Sequence, residues 1–113
     1  MFIDWSNLNV YVACGPTDLR KSYGSLSLLI QNELQLEPLS GHLFLFSNRK
    51  RNLIKALYWD RNGYCLWQKR LDKDRFPWPA KKESVEVRQI TKEQLQWLLR
   101  GINFFSEHKK YFN

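Results

Sequence analysis

Four stretches of the chain concentrate apolar and β-prone residues in runs of strand length. They cover about residues 8–14, 42–47, 53–60 and 64–71, and residues 85–90 form a fifth candidate. The first run, LNVYVAC, is mostly apolar and is typical of a central strand. In the third and fourth runs, long apolar and long basic side chains alternate, so that one face can pack while the other stays charged. We predict an antiparallel meander sheet.

One helix is predicted between the first two strands. Apolar residues recur every three or four positions from Leu19 to Leu34, which places them on one face of a helix. We expect this helix at about 18–34. Its first free N–H groups would be capped by the side-chain oxygen of Thr17 or Asp18.

A second helix is predicted near the end of the chain. The residues TKEQ at 91–94 form a capping box, which predicts a helix at about 92–100 that stops at Gly101. Residues 104–112 are a candidate for a last short helix. With strands and helices in this order, and no repeat or linker, we predict one α+β domain over residues 1–113.

Two connections have a clear local signature. The sequence Asp60-Arg61-Asn62-Gly63 predicts a tight hairpin, because Asn-Gly accepts a positive φ. Its register stays open: a two-residue turn pairs Tyr58 with Trp67, and a three-residue turn with a bulge pairs Leu57 with Trp67. The Phe76–Pro79 segment, FPWP, has two prolines and is expected to lie extended over the domain.

The basic residues are concentrated in one quarter of the chain. The sequence holds 18 Lys and Arg against 11 Asp and Glu, a net charge of +7. Residues 49–75 contain nine of these cations and three acids, whereas residues 1–48 have a net charge of −2. Such a local excess attracts polyanions, although a solvated basic face that serves solubility is the alternative.

We therefore predict a nucleic-acid-binding surface, with duplex DNA as the favoured partner. Cations at a hairpin tip can follow a phosphate backbone, and arginine pairs with guanine edges in a bidentate way. The candidates are the tip itself and the cations on nearby strands and loops: Arg49, Lys50, Arg51, Lys55, Lys69, Arg70, Arg75, Arg20 and Lys21.

Two of these cations, Arg20 and Lys21, fall at the predicted start of the first helix. Cations there oppose the helix dipole, which is understandable if an anion docks beside the free N–H groups. The alternative is that the neighbouring Asp18 offsets their charge locally. The residues alone do not choose between these interpretations.

Aromatic residues are interleaved with the basic ones. The six rings in or beside the basic region are Tyr58, Trp59, Tyr64, Trp67, Phe76 and Trp78. A domain of this size needs large rings in its core, and we expect four of the six to be there. Trp78, held between two prolines, is the candidate surface contact for a base or a protein partner.

Catalytic and metal-binding motifs are not found in the sequence. There is no phosphate-binding glycine loop and no nucleophile elbow, and His42 and His108 lack partners at metal-ligand spacing. We therefore predict no cofactor, no metal site and no enzymatic activity. A nuclease would need clustered carboxylates, and the basic region offers only Asp60, Asp72 and Asp74.

The sequence predicts a cytoplasmic protein without a membrane segment. No apolar run approaches the roughly 20 residues that a membrane span needs, and the first residues do not have the pattern of a signal peptide. Cys14 and Cys65 fit two buried thiols in a reducing compartment better than one long-range disulfide.

Ordered blocks of the chain resemble a known family, the TnpB accessory proteins of bacterial insertion sequences of the sixty-six type. The blocks are VYVACGPTDLRK at 10–21, SGHLFLF at 40–46, NRKR at 48–51, KALYWD at 55–60, GYCLWQKRL at 63–71 and RFPWP at 75–79. The spacing is kept over residues 10–79, and the match is looser after Pro79.

The resemblance implies a small, non-catalytic accessory protein of DNA transposition. Such a protein is made beside a separate DDE-type transposase and a second small accessory protein, which are its expected partners. The family has no agreed binding residues to carry over. Two hypotheses follow: the chain binds DNA through its basic hairpin, or it is a protein–protein adaptor that stabilises the transposase complex without touching DNA.

Overall fold

A computed structural model describes residues 6–105, which form two helices and a five-stranded sheet. In chain order the elements are β1 (Val10–Ala13), α1 (Tyr23–Asn32), β2 (Leu43–Ser47), β3 (Leu53–Asp60), β4 (Gly63–Arg70), β5 (Val87–Ile90) and α2 (Lys92–Arg100). The predicted α+β class and all five predicted strands are confirmed, each within a few residues of its expected bounds.

The sheet is mixed, with the strand order β4-β3-β2-β1-β5. Strands β2, β3 and β4 form the predicted antiparallel meander. The expectation that the whole sheet is antiparallel is wrong, because β1 pairs with β2 in the parallel sense. The physical reason is the α1 crossover, since a helix between two neighbouring strands returns the chain to the same end of the sheet. Strand β5 closes the other edge antiparallel to β1.

The core lies on both faces of this sheet. On one side, here called the α1 face, Leu26 and Ile30 of α1 pack in a cluster with Phe44 and Phe46 of β2. On the opposite side, the α2 face, α2 and the Phe76–Pro79 segment cover the sheet. Burial on both faces explains why β2 is buried at every position.

The Phe76–Pro79 segment is extended over the sheet as predicted, but its tryptophan is not a surface contact. Trp78 is only 9% exposed, and its indole Nε1 donates a hydrogen bond to the Ala13 carbonyl oxygen at 3.0 Å. A satisfied N–H removes the main cost of burying the ring. The proposed role of Trp78 as an exposed stacking or docking residue is therefore wrong. The exposed ring of the basic region is Trp67, at 39%.

The hairpin between β3 and β4 has a register that neither sequence-based alternative gives. Asp60 pairs with Gly63, and Ala56 rather than Tyr58 or Leu57 lies opposite Trp67. The turn consists of Arg61 and Asn62, in which the Asn62 N–H donates to the Asp60 carbonyl oxygen. The positive φ of the turn, 59°, is found at Arg61 and not at the Asn-Gly pair where it was expected. An arginine therefore adopts a conformation that favours glycine.

Helix α1 begins four residues later than its apolar pattern indicates. Its N-cap is Ser22, without a side-chain hydrogen bond, so neither Thr17 nor Asp18 caps it. Leu19 is buried and belongs to the same core cluster as α1, but it reaches that cluster from a loop. The helical spacing of Leu19 is therefore coincidental.

Helix α2 follows its prediction closely. The capping box is formed in both directions between Thr91 and Gln94, and Gly101 ends the helix in the left-handed conformation. Phe104 and Phe105 are not helical, and the rest of the candidate last helix lies outside the described residues. Both cysteines are free thiols: Cys14 is buried, which raises its pKa, and Cys65 is half-buried. Within residues 6–105 no helix is long and apolar enough to cross a membrane.

Candidate nucleic-acid interface

A cleft of about 720 Å³ opens on the α1 face, beside the tip of the β2–β3 hairpin. One wall is the loop between β1 and α1, the other is the hairpin tip, and the floor is formed by β3 and β4. The residues that line it are Pro16, Thr17, Asp18, Leu19, Arg20, Asn48, Arg49, Leu53, Lys55, Gln68 and Arg70.

The loop wall is fixed by backbone hydrogen bonds to two other parts of the fold. The Gly15 N–H donates to the Pro79 carbonyl oxygen at 2.9 Å, and the Thr17 N–H donates to the Ser47 carbonyl oxygen at 2.8 Å. Gly15 has a φ of +76°, and a Cβ there would lie 2.8 Å from the Cβ of Lys81. Glycine is therefore required at this position by both conformation and space.

The hairpin-tip wall is braced by the side chain of Asn48. Its Oδ1 accepts hydrogen bonds from the N–H groups of Asn52 at 3.1 Å and Leu53 at 3.2 Å. Its Nδ2 donates to the Oδ1 of Asn52 at 2.7 Å. These bonds hold the five-residue turn in one conformation, in which Arg51 has a φ of 60°. The tip that carries Arg49 is thus a structured element.

The floor places two cations on the same side of the sheet. Leu53 pairs with Arg70 and Lys55 pairs with Gln68, so that all four side chains point to the α1 face. The Nζ of Lys55 donates to the Leu19 carbonyl oxygen at 2.6 Å, which ties the floor to the loop wall. One donor of this ammonium is thereby engaged, and an ammonium has three.

An ion pair controls the charge of the loop wall. Arg20 binds Asp18 in a bidentate way, with Nε to Oδ1 at 2.9 Å and Nη2 to Oδ2 at 2.8 Å. Asp18 Oδ1 also accepts the Arg20 N–H. These hydrogen bonds hold the pKa of Asp18 well below its usual range. Since α1 starts beyond these residues, the helix-dipole interpretation is wrong, and local compensation by Asp18 is what the structure contains.

The structure brings together four of the nine predicted cations and separates the others. Arg20, Arg49, Lys55 and Arg70 line the cleft. Lys69 lies on the opposite face of the sheet, where its Nζ donates to the Leu99 carbonyl oxygen at 3.0 Å. Three more of the predicted cations have exposed side chains that do not line the cleft: Lys21, Lys50 and Arg75.

The remaining tip residue, Arg51, lines a second cavity of about 520 Å³ on the α2 face. Lys82 and Arg88 line the same cavity, and the guanidinium of Arg88 lies 5.2 Å from the centre of the Phe105 ring. Sequence reasoning missed both of these cations, because they fall outside the dense basic segment. The alternation of side chains along β5 was the available signal for Arg88.

In the described part of the chain, no group of three or more His, Cys, Asp or Glu side chains is placed to hold a metal ion. The three aspartates that a nuclease would use are also dispersed. Asp60 closes the turn at one end of β3, whereas Asp72 and Asp74 follow the other end of β4.

Comparisons with known proteins agree with the motifs quoted above. The family model described as IS66 Orf2 like protein matches residues 8–109. Uncharacterized protein y4hO of Sinorhizobium fredii (strain NBRC 101917 / NGR234) is 42% identical over 98 residues, which cover 87% of this chain and 84% of that protein. Uncharacterized protein y4jC of the same strain is 26% identical over 103 residues, with 91% and 86% covered. No solved structure matches the chain. The chain therefore belongs to the IS66 Orf2-like family, the TnpB accessory proteins of transposition.

Proposed function

We propose that this protein binds duplex DNA in the cleft on the α1 face and thereby supports a separate transposase, without catalysis of its own. The observation that carries the proposal is the convergence of Arg20, Arg49, Lys55 and Arg70 from a loop, a hairpin tip and two strands. Along the described residues that line the cleft, the one acidic side chain is Asp18, and it is already paired with Arg20.

Phosphate binding suits the state of these side chains. Arg49 and Arg70 are exposed, have no ion pair with an acid in the described part of the chain, and offer planar forks that match phosphate oxygens. Lys55 is half-buried beneath them and adds a fixed positive charge. Lys50 and Lys21, exposed on either side, extend the contact along the backbone. Lys69 is left out of the proposed surface, because it faces the other side of the sheet.

The number of cations in the cleft sets the expected salt dependence. If Arg49, Lys55 and Arg70 each neutralise a phosphate while Asp18 holds Arg20, log K should fall against log salt with a slope of about −2.7 on duplex DNA, and contacts by Lys50 or Lys21 would steepen it. Phosphate contacts of this kind position a protein on DNA and do not select a sequence. Discrimination of element ends would have to come from Arg49, which is at the tip and can reach a base edge.

The test is a salt titration of binding to an element-end duplex and to a random duplex of equal length. Arg49→Ala combined with Arg70→Ala should weaken binding and flatten the slope by about 1.8. The matched control is Lys92→Ala with Arg100→Ala, which removes the same charge from α2 on the opposite face and should leave the slope nearly unchanged. Equal effects of the two double variants would show that only net charge matters and would refute the cleft.

The adaptor hypothesis has less support from the fold. The candidate contact for a protein partner is Trp78, and Trp78 is buried. An unchanged salt slope in the Arg49/Arg70 double variant, together with nuclease-resistant co-purification with the transposase, would favour the adaptor over the DNA-binding role.

A further inference from the structure

The outer edge of β4 is unpaired within residues 6–105 and has the properties of an interface. Strand β4 is the last strand on its side of the sheet and is eight residues long. Leu66 and Trp67, at its middle, are 41% and 39% exposed. Proteins usually shorten such edges or place charges along them, because free N–H and C=O groups recruit another strand. Here the strand carries charge only at Lys69 and Arg70, its last two positions.

The hydrogen-bond pattern identifies which backbone groups face outward. The Leu71 N–H donates to the Asn52 carbonyl oxygen, so that this pair is of the hydrogen-bonded kind. In an antiparallel ladder the two kinds of pair alternate. The backbone N–H and C=O groups of the odd-numbered residues of β4 therefore form hydrogen bonds with β3. The outward backbone groups belong to Tyr64, Leu66, Gln68 and Arg70.

We infer that β4 pairs antiparallel with β4 of a second copy of this chain, around a two-fold axis at Trp67. In this register Leu66 lies opposite Gln68 of the partner subunit, and Tyr64 lies opposite Arg70 of the partner subunit. Every outward N–H and C=O group of these four residues then finds a partner. Shifting the axis to Leu66 would leave Arg70 opposite the turn. Shifting it to Gln68 would leave Tyr64 opposite a residue beyond the end of β4.

The side chains along β4 favour this self-pairing. Antiparallel pairing separates the basic ends of the two strands and places each beside the uncharged Gly63–Tyr64 end of the other, where Arg70 can lie over a tyrosine ring. The two copies of Trp67 meet at a non-hydrogen-bonded position, where Cα atoms are only about 4.5 Å apart and aromatic pairs are stabilising. A parallel arrangement would instead bring like charges together.

Symmetry gives the assembly a defined geometry. A two-fold axis through an antiparallel strand pair runs perpendicular to the sheet, so that both α1 faces point to the same side. Both clefts would then open on one face of a ten-stranded sheet. The two Arg70 residues would be roughly 20 Å apart along the strands, since each residue adds about 3.4 Å. The inference itself does not rest on the proposed DNA binding.

Sedimentation velocity of the full chain, in moderate salt and without DNA, tests this pairing. The expected mass is twice 13.6 kDa. Trp67→Lys puts two ammonium groups against each other at the axis and should give a monomer. The control Leu28→Lys changes a still more exposed apolar residue, on α1, and should leave the dimer intact. A monomeric wild type overturns the inference, whether the edge is free or covered by residues outside the described range.

Two further variants test the register. Gln68→Pro removes an outward N–H without touching the β3 ladder and should give a monomer, whereas Gln68→Ala should remain a dimer. Trp67→Cys should form an intersubunit disulfide on oxidation, since the two Cβ atoms would be about 5 Å apart, whereas Val85→Cys should not. If Gln68→Pro also lowers the melting temperature, its loss of the dimer could come from unfolding. The Trp67→Lys variant is then the test of the interface. A dimer that survives both Trp67→Lys and Gln68→Pro refutes the β4 interface.

Discussion

Replacement of Asp18 by asparagine should strengthen DNA binding, which is the opposite of what most surface substitutions do. In the wild type the carboxylate engages Nε and Nη2 of Arg20, so that a phosphate must compete for this guanidinium. Asparagine carries no negative charge with which to hold the Arg20 guanidinium. Its Oδ1 can still accept the Arg20 N–H, at 3.0 Å in the wild type, so the turn should keep its shape.

The magnitude follows from counterion release. One further phosphate contact on duplex DNA adds about −0.9 to the slope of log K against log salt. Relative to 1 M salt, this corresponds to an affinity gain of about eight-fold at 0.1 M and about four-fold at 0.2 M. Asp18→Asn should therefore bind several-fold more tightly at low salt, and the gain should shrink as salt rises.

The assay is a fluorescence-anisotropy titration at several salt concentrations, with Glu93→Gln as the matched control. Glu93 lies in the first turn of α2, on the other side of the sheet, and its neutralisation adds the same unit of charge. A gain of equal size in both variants would mean that net charge alone acts. An unchanged salt slope for Asp18→Asn would show that Arg20 does not contact DNA. Weaker binding would show that the ion pair itself is needed for DNA binding.

The same ion pair has a pH dependence of known sign. Because Arg20 lowers the pKa of Asp18 in the folded state, the pair stabilises the loop above the ordinary aspartate pKa of about 3.9. That stabilisation declines once pH falls below this ordinary value, and it is gone when pH has fallen through the lower folded pKa. In a carboxyl NMR titration Asp18 should stay ionised where other exposed aspartates protonate, and an ordinary midpoint would contradict the bidentate pair.

Three stability predictions concern the scaffold and are checked by chemical denaturation. Asn48→Ala should cost about 1–3 kcal/mol and weaken DNA binding, because two tip N–H groups lose their acceptor, whereas Asn48→Asp should retain much of the stability. Gly15→Ala should cost more than about 1–2 kcal/mol, since strain at positive φ adds to the clash with Lys81; a neutral result would contradict the close approach. Burial, with a smaller effect of the Cys65 thiol, raises the pKa of Tyr58 to about 12. Its hydroxyl has no hydrogen-bond acceptor in the described part of the chain. Tyr58→Phe should therefore be neutral or stabilise by up to about 1 kcal/mol, and should reduce the loss of stability as pH rises above 10.

Elements whose signals are local could be predicted from the sequence. Helix α2 depends on its capping box and on Gly101, which lie within eleven residues, and its bounds are confirmed. The strand segments are recognisable for the same reason. Strand partners are not local. The helix predicted between β1 and β2 favours a parallel pair only if these two strands are neighbours, and nothing in either strand indicates that they are. The parallel pairing of β1 with β2 could therefore be recognised only from the structure.

The errors within single segments arose where tertiary contacts outweigh local preference. Leu19 fits a helical spacing, yet it is packed into the core from a loop whose backbone is held by Ser47 and Pro79. Arg61 occupies a conformation that favours glycine, because the β3–β4 register places it at the turn. In both cases the sequence pattern was present, but the geometry was decided by residues far along the chain.

The candidate site shows the difference between composition and placement. The sequence identifies a dense group of cations, but it cannot say which face of the sheet each one occupies until the register is known. Arg49 lines the cleft and Arg51 lines a cavity on the other face, and Lys69 and Arg70 diverge in the same way. Of the nine predicted cations, four therefore line one cleft.

The two proposals are separable, because Arg49 belongs to the cleft alone and Trp67 to the strand edge alone, although Gln68 and Arg70 contribute to both. Gln68 and Arg70 point to the α1 face and line the cleft, whereas Trp67 points to the α2 face and lies at the proposed two-fold axis. Trp67→Lys should abolish dimerisation while each monomer keeps an intact cleft. Arg49→Ala alone should weaken DNA binding while the strand edge stays intact. If the dimer presents two clefts to one duplex, Trp67→Lys should also roughly halve the salt slope, since each bound protein then neutralises half as many phosphates. A slope that stays constant on loss of the dimer would mean that each cleft binds DNA independently.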